Sequence, residues 1–266
     1  MIPLLLTATV DPQGMQGASF PVGERVQQYV EAIGFYRGLG LSVVLAENSG
    51  RIDTLCCHFD GDDGIEWIDA SKAPYDKNRG KGYNETLLIH EALGRSALIG
   101  EAGCFFKLTG RLRVLNIGRL LAECERRERN LAARGALLRL QADCKDHSVY
   151  EWLRMPINGH VGECRYWFAR TDFFEQRMWP LHDRLNDYGD APWLAEDAML
   201  EVCRQTRGEV GCRDRFRTQA RISGRGGHTL GQGLSFFYST DNDSLALRLK
   251  CGLRQLIRWI LPFWKA

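Results

Sequence analysis

FFKLTGRLRVLN, residues 105–116, opens as an apolar run and closes on a Thr-Gly turn, with Lys107 inside the run and Arg111 and Arg113 after it. A short apolar run bounded by turn residues reads as a strand covered on both faces. Further runs of this kind lie at 4–10, 41–46 and 65–68, with amphipathic stretches at 25–39 and 85–98 between them. Alternation of this sort predicts an α/β layer fold with a mostly parallel sheet flanked by helices. From residue 116 the chain reads as helix, and 123–134 carries both signs of charge, as a solvated face with i to i+4 pairs does. A later helix is predicted to begin near Glu196. No internal repeat or low-complexity segment interrupts the pattern, so we expect one compact domain over 1–243, with halves at 1–120 and 121–243, and a separate tail at 244–266.

Composition limits the classes. At 266 residues with 44% hydrophobic and 10% aromatic content, the chain is too apolar to be disordered. Its 35 basic and 33 acidic residues leave a formal charge of +2, which is no general nucleic-acid footprint. Anion binding must come from local clusters. Nine cysteines without a CxxC pair fit a reducing compartment and argue against structural zinc. The start, MIPLLLTATVD, lacks a basic n-region and reads as a strand rather than a signal peptide.

In open α/β sheets, ligands bind beyond the carboxyl ends of the strands, where strand order reverses. Polar groups stand at three such places: Thr7 and Thr9 with Glu47, Asn48 and Ser49 at the first two strand ends, Lys107 to Arg111 at the middle one, and the turn Gly80-Lys81-Gly82 before a helix. Glycines admit close backbone approach, a helix start presents N–H groups, and Lys or Arg supplies countercharge, so together these make a candidate phosphate cradle. It lacks the spacing of a Walker A loop.

In this order, LLLTATV, the RVQQY helix, VVLAENSG, GKGYNE and FFKLTGRLRVLN resemble bacterial capsule and lipopolysaccharide-locus proteins similar to GT-A-type glycosyltransferases. The resemblance covers the first 120 residues most fully. It implies a GT-A-like fold and transfer of a sugar from a nucleotide sugar to a glycan acceptor in surface polysaccharide synthesis. Most such enzymes hold a divalent metal with an Asp-x-Asp motif at the end of the middle strand; here the place reads Leu108-Thr109-Gly110-Arg111. The resemblance therefore implies that Lys81, Lys107, Arg111 and Arg113 stabilise the departing diphosphate, with no metal required, and that Thr7, Thr9, Glu47, Asn48 and Ser49 contact the nucleotide, Glu47 and Asn48 at its base and ribose. Lys107 lies within the strand and Arg111 beyond the Thr-Gly turn, so the two need not face the same way, and Arg111 carries the most weight. A plainer reading pairs Arg111 with a carboxylate near Glu123. Asp60-Gly61-Asp62-Asp63 does contain Asp-x-Asp, with hard oxygen ligands suited to magnesium or manganese, but it falls too early in the chain and has hairpin-loop composition.

Trp193-Leu194-Ala195-Glu196-Asp197 resembles the element that supplies the base of inverting family members. It makes Asp197 the expected base, with Glu196 orienting it or binding sugar; the plainer reading is N-terminal capping. Gly162 to Phe168 resembles an acceptor-side segment, implying Arg165 and Trp167 as acceptor contacts. His228, in the Gly226-Gly227-His228-Thr229 turn, sits where many members place a histidine near the diphosphate.

The tail SLALRLKCGLRQLIRWILPFWKA sets Leu249, Leu253, Leu256, Ile260 and Trp264 on one helical side, with Lys250, Arg254 and Arg258 recurring on another. A basic amphipathic helix of this kind suits an anionic membrane surface and is too charged to span one. The expectation is a peripheral enzyme on the inner face of a bacterial cytoplasmic membrane, with a lipid-linked acceptor. The alternatives are a nucleotidyltransferase or other phosphotransfer enzyme using the same cradle, and a non-catalytic membrane-bound scaffold.

Overall fold

The computed structural model describes residues 1–14, 20–146, 152–154, 159–224 and 245–260. At its centre is β1 (Leu4–Ala8), buried along its whole length. It pairs in parallel with β2 (Val43–Glu47) on one side and β4 (Cys104–Thr109) on the other, and β2 pairs in parallel with β3 (Ile65–Asp69). On the far side of β4 lies β9 (Tyr166–Arg170), antiparallel to it, and then β6 (Leu140–Gln141), antiparallel to β9. Beyond β6, β10 (Cys212–Arg213) pairs in parallel with it, completing a seven-stranded sheet in the order β10-β6-β9-β4-β1-β2-β3. Only β9 runs against the other six. One sheet thus takes strands from both halves of the chain, in an α/β arrangement compatible with a Rossmann-like fold. Two small ladders flank it: β5 (Arg113–Val114) with β11 (Ile222–Ser223), and β7 (Cys144–Asp146) with β8 (His160–Gly162).

Alternation along the strands divides the core into two layers. Leu4 and Leu6 of β1, Phe106 and Leu108 of β4, and Tyr166 and Phe168 of β9 face helices α1 (Val22–Gly38) and, later in the chain, Ile117–Ala132. Leu5, Phe105 and Trp167 face the opposite layer, where Leu88, Ile89 and Ala92 of the helix Gly80–Arg95 and Met199 and Val202 of the helix Ala195–Gln205 pack. All three consecutive aromatics of β9 are therefore core. Lys107 shares its face with Phe105, toward the helix Gly80–Arg95, whereas Arg111 follows the strand and turns toward α1.

Element boundaries differ from expectation in two instructive places. The helix expected at 85–98 begins at Gly80, so the GKG turn is its first turn rather than a loop before it. It stops at Arg95, because the extended Ser96 caps a second helix, Ala97–Ala102, by accepting the Ile99 N–H (3.0 Å). The charged helix Ile117–Ala132 turns Glu123 inward. There it accepts the N–H groups of Arg217 (2.8 Å) and Thr218 (2.9 Å) and the Gln141 amide (2.9 Å), and it pairs with Arg127 (3.2 Å). Glu123 fastens the loop at 217–218 and is not the partner of Arg111.

Candidate functional site

Strand order reverses at β1, between β2 and β4, and the candidate site lies beyond the carboxyl ends of β1 and β4. Here the backbones touch. The Gly110 N–H donates to Thr7 O (3.0 Å), and a Cβ on Gly110 would stand 2.6 Å from that same oxygen, so only glycine fits.

Three cations converge on this crevice. Arg25, in the first helical turns of α1, is buried and donates through Nε to Thr9 O (3.0 Å) and Val10 O (3.1 Å). Tyr29, one turn on, accepts the Thr9 N–H (2.9 Å). Arg111 donates to Gln28 Oε1 of the same helix (2.8 Å) and lies over the Phe20 ring, 5.6 Å from its centroid. Lys81 comes from the start of the helix Gly80–Arg95. Burial, then the neighbouring Arg111 and Arg25, pull its pKa down to about 8. Arg25 is likewise lowered, by burial first and with Arg111 contributing. Lys81 and Arg25 both feel Arg111 as a like charge, and like charges gathered at one place attract an anion.

Carboxylates form the adjoining wall. Glu85 Oε1 accepts the Thr7 hydroxyl (2.6 Å) and pairs with Lys107 Nζ (2.8 Å), which also donates to Cys164 O (2.6 Å). Glu163 pairs with Arg165; although burial pushes Glu163 upward, that pairing holds its pKa below the usual value. Glu196, in the first turn of the helix Ala195–Gln205, has its pKa raised by burial, with Glu85, Glu163 and Asp187 adding like charge. Gly162 permits this packing, since a Cβ there would meet Glu196 O at 2.7 Å. Glu196 and Lys81 both feel Glu85 and Asp187, so the carboxylate wall and the cation cluster border one space. Beneath them a cavity of about 40 Å³ is roofed by Glu85 and Lys107 and walled by Trp167, Phe174, Met199 and Val202.

The residues read from sequence divide sharply. Lys81, Arg111, Thr7 and Thr9 come together. Lys107 does not face a ligand: at 1% exposure it is an interior cation that holds Glu85. Arg113 is carried away by β5 to the neighbourhood of Tyr36, two turns of α1 beyond Tyr29 and about 10 Å along the helix. Glu47 is fully buried and takes the N–H groups of Val10 (3.0 Å), Ser49 (2.9 Å) and Arg51 (3.0 Å), while the Ser49 hydroxyl accepts the Asp11 N–H (2.9 Å). Both close the loops after β1 and β2 and leave no group to read a base. Asn48 keeps a buried Oδ1 that accepts no hydrogen bond among the described residues.

Trp167, 3% exposed, stacks in the core on Phe174 and meets Phe105 edge-on, so it offers no face to a sugar. Asp197 accepts the Leu194 N–H (2.9 Å) and caps its own helix, leaving Glu196 as the carboxylate turned to the site. His228 lies outside the described residues. Asp62 is taken by Arg37 through Nε (2.8 Å) and Nη2 (2.6 Å), at the amino end of β3 and so at the opposite end of the sheet from the site. Among the described residues, no group of three or more His, Cys, Asp or Glu side chains is placed to hold a metal ion.

Asp187, Arg25, Glu85 and Glu163 were not read as site residues. Asp187 changes the picture most: its carboxylate accepts the Lys81 N–H (2.6 Å) and approaches that of Gly82 (3.4 Å), occupying the helix start that the phosphate reading reserved for ligand. Gly80, at φ +86°, is glycine because a Cβ would lie 2.4 Å from Asp187. The glycines thus admit an internal carboxylate, and anion binding at this turn falls to the Lys81 side chain. Only Arg25 left a trace in the sequence, as a cation in a first helical region where the macrodipole favours acids.

No helix among the described residues is long and apolar enough to cross a membrane. No family model matches the chain, and no curated protein or solved structure matches it either.

Proposed function

We propose that the chain is a GT-A-like glycosyltransferase that moves a sugar from a nucleotide-sugar donor to a lipid-linked glycan acceptor of bacterial surface polysaccharide. The observation that carries this reading is the convergence of Lys81, Arg111 and Arg25 at the strand-order reversal, opposite a half-buried carboxylate of raised pKa. In this reading Lys81 and Arg111 hold the donor diphosphate and the buried Arg25 adds positive charge behind them, together serving where a bound metal serves in most enzymes of this type. Thr9 and Asn48 border the nucleotide.

Glu196 accepts the proton of the acceptor hydroxyl as its oxygen bonds to the sugar carbon. The bond from that carbon to the diphosphate oxygen breaks, and the charge left on the departing nucleoside diphosphate is met by the cations. Burial makes Glu196 a stronger base than an exposed carboxylate, which suits this task. Attack from the face opposite the leaving group inverts the sugar carbon. Arg165, held by Glu163, lies on the acceptor side. A nucleotide donor and a lipid-linked acceptor go with work at the cytoplasmic surface of the inner membrane.

Calorimetry with a panel of nucleoside diphosphates and nucleotide sugars, with divalent metal and again with EDTA, tests the reading. Binding that persists in EDTA and is lost in Arg111→Ala is the expected result. Strict metal dependence would overturn the role given to the cations, and absence of binding to the whole panel would overturn the transferase.

A further inference from the structure

The helix Leu245–Ile260 packs inside out. Its charged side faces the protein: Arg258 is buried and donates to both Asp143 carboxylate oxygens (2.9 and 2.6 Å), to Gln219 Oε1 (2.9 Å) and to Phe216 O (2.6 Å). Gln255 donates to Arg217 O (2.7 Å) and accepts the Gln219 N–H (2.8 Å). Lys250 and Arg254 are half-buried on the same side. Leu245, Leu249, Leu253, Leu256, Trp259 and Ile260 point the other way, each between 48% and 71% exposed. At 100° per residue these six share a sector about 120° wide. Helices of soluble domains ordinarily turn such a stripe to the core.

We infer that the outward stripe docks on a lipid bilayer, with the helix lying flat at the boundary between headgroups and acyl chains. Size argues for lipid over protein. Sixteen residues make a helix about 24 Å long, and a stripe about 10 Å wide on it offers roughly 240 Å². A stable protein interface takes about 800 Å² per partner, far more than the stripe, whereas a bilayer has no such threshold. Chemistry argues the same way. No acid occurs in 245–266, the sequence runs on as LPFWKA, and Trp259 and Trp264 are the residue type favoured where apolar and polar layers meet.

Arg258 is spent on Asp143, Lys250 and Arg254 are half-buried, and only Arg248 of the four cations in 245–260 is exposed, so attachment comes chiefly from the apolar stripe rather than from a basic face on anionic headgroups. The sequence reading gave this work to the basic face instead. The inference stands apart from the transferase reading; where both hold, the acceptor reaches the site from the bilayer.

The test is flotation of the full-length protein with neutral phosphatidylcholine vesicles, then with vesicles containing anionic lipid, each at low and high salt. The expected result is binding to neutral vesicles that survives high salt, with a blue shift in tryptophan fluorescence. Leu249→Glu with Leu253→Glu is expected to reduce the bound fraction at least tenfold, leaving circular dichroism and nucleotide binding unchanged. Trp259→Ser, a milder change, is expected to reduce it less. Binding confined to anionic vesicles and released by salt would overturn the inference in favour of the cations. Failure to float, with a dimer that Leu253→Glu dissociates, would replace the bilayer with a second copy of the chain.

Discussion

Two helices begin at the site, and each start is capped by a carboxylate, yet the caps differ in origin. The helix Ala195–Gln205 is capped from within, by Asp197 three residues past Leu194. The helix Gly80–Arg95 is capped from 106 residues away, by Asp187. The first cap is a local pattern and leaves its neighbour, Glu196, available for chemistry. The second fills a helix start that glycines had made attractive to phosphate, and so leaves only side chains there to meet an anion. A motif at a helix start therefore cannot be assigned until one knows what already sits on its N–H groups.

The contrast between the adjacent acids should give the largest effect. Glu196→Gln is expected to lower transfer by about 10²–10⁴-fold with donor affinity kept, as loss of a general base does, whereas Asp197→Asn should stay within a fewfold of the parent. Steady-state turnover alongside calorimetric donor binding checks both. Equal loss in the two variants would erase the distinction between cap and base.

On the cation side, Arg111→Ala is expected to weaken nucleoside diphosphate binding by about 10–100-fold, the worth of a charge-assisted hydrogen bond, while Arg113→Ala leaves it unchanged. Similar losses in both would mean that β5 does not separate them in solution.

The distant cap can be broken sterically. Gly80→Ala adds a Cβ against Asp187 to a positive-φ penalty and should cost about 2–4 kcal/mol in urea unfolding. Gly189→Ala, at φ +91° with nothing within 4 Å, isolates the backbone share at about 1 kcal/mol. Equal costs would show that Asp187 moves aside freely.

Lys81 offers a smaller signal. Its folded pKa of about 8 lies below its ordinary value of 10.5, so the cost of burying its charge is present in full below about pH 8 and is relieved as pH rises toward 10.5. A bound diphosphate favours the charged form. Binding at pH 8–9 should therefore take up a fraction of a proton, read by calorimetry in buffers of different ionisation enthalpy, and affinity should fall above pH 8. Lys81→Met should abolish the uptake. The local cap gives the least: Asp197→Ala should cost about 1 kcal/mol of stability.

Much of the fold was legible because its signals are local. The apolar runs of β1, β2, β3 and β4 and the stripes of the helices between them follow from strand and helix periodicity. Lys107 and Arg111 part company for another reason: β4 ends at Thr109, so Lys107 keeps the face toward Glu85 while Arg111, past the Gly110 turn, swings to α1. Arg113 was misplaced for lack of any signal that two residues, Arg113 and Val114, would pair with Ile222 and Ser223 more than a hundred positions later. Trp167 was misplaced because aromatic content does not say which side of a strand is buried when both are.

By itself, the sequence determined the α/β layering, the charges at Lys81 and Arg111, and the two-sided character of residues 245–260, and it left Asp197 between base and cap. Each of these rests on residues within a turn or two of one another. Only the tertiary structure decided that Arg25 joins the cations, that Asp187 occupies the GKG helix start, that Lys107 is sealed beneath Glu85, and that the terminal helix shows its apolar side to the outside. Those outcomes depend on what stands opposite. A helical period defines two faces without ranking them, and it was the half-buried Asp143 carboxylate that drew Arg258 inward and left the leucines exposed.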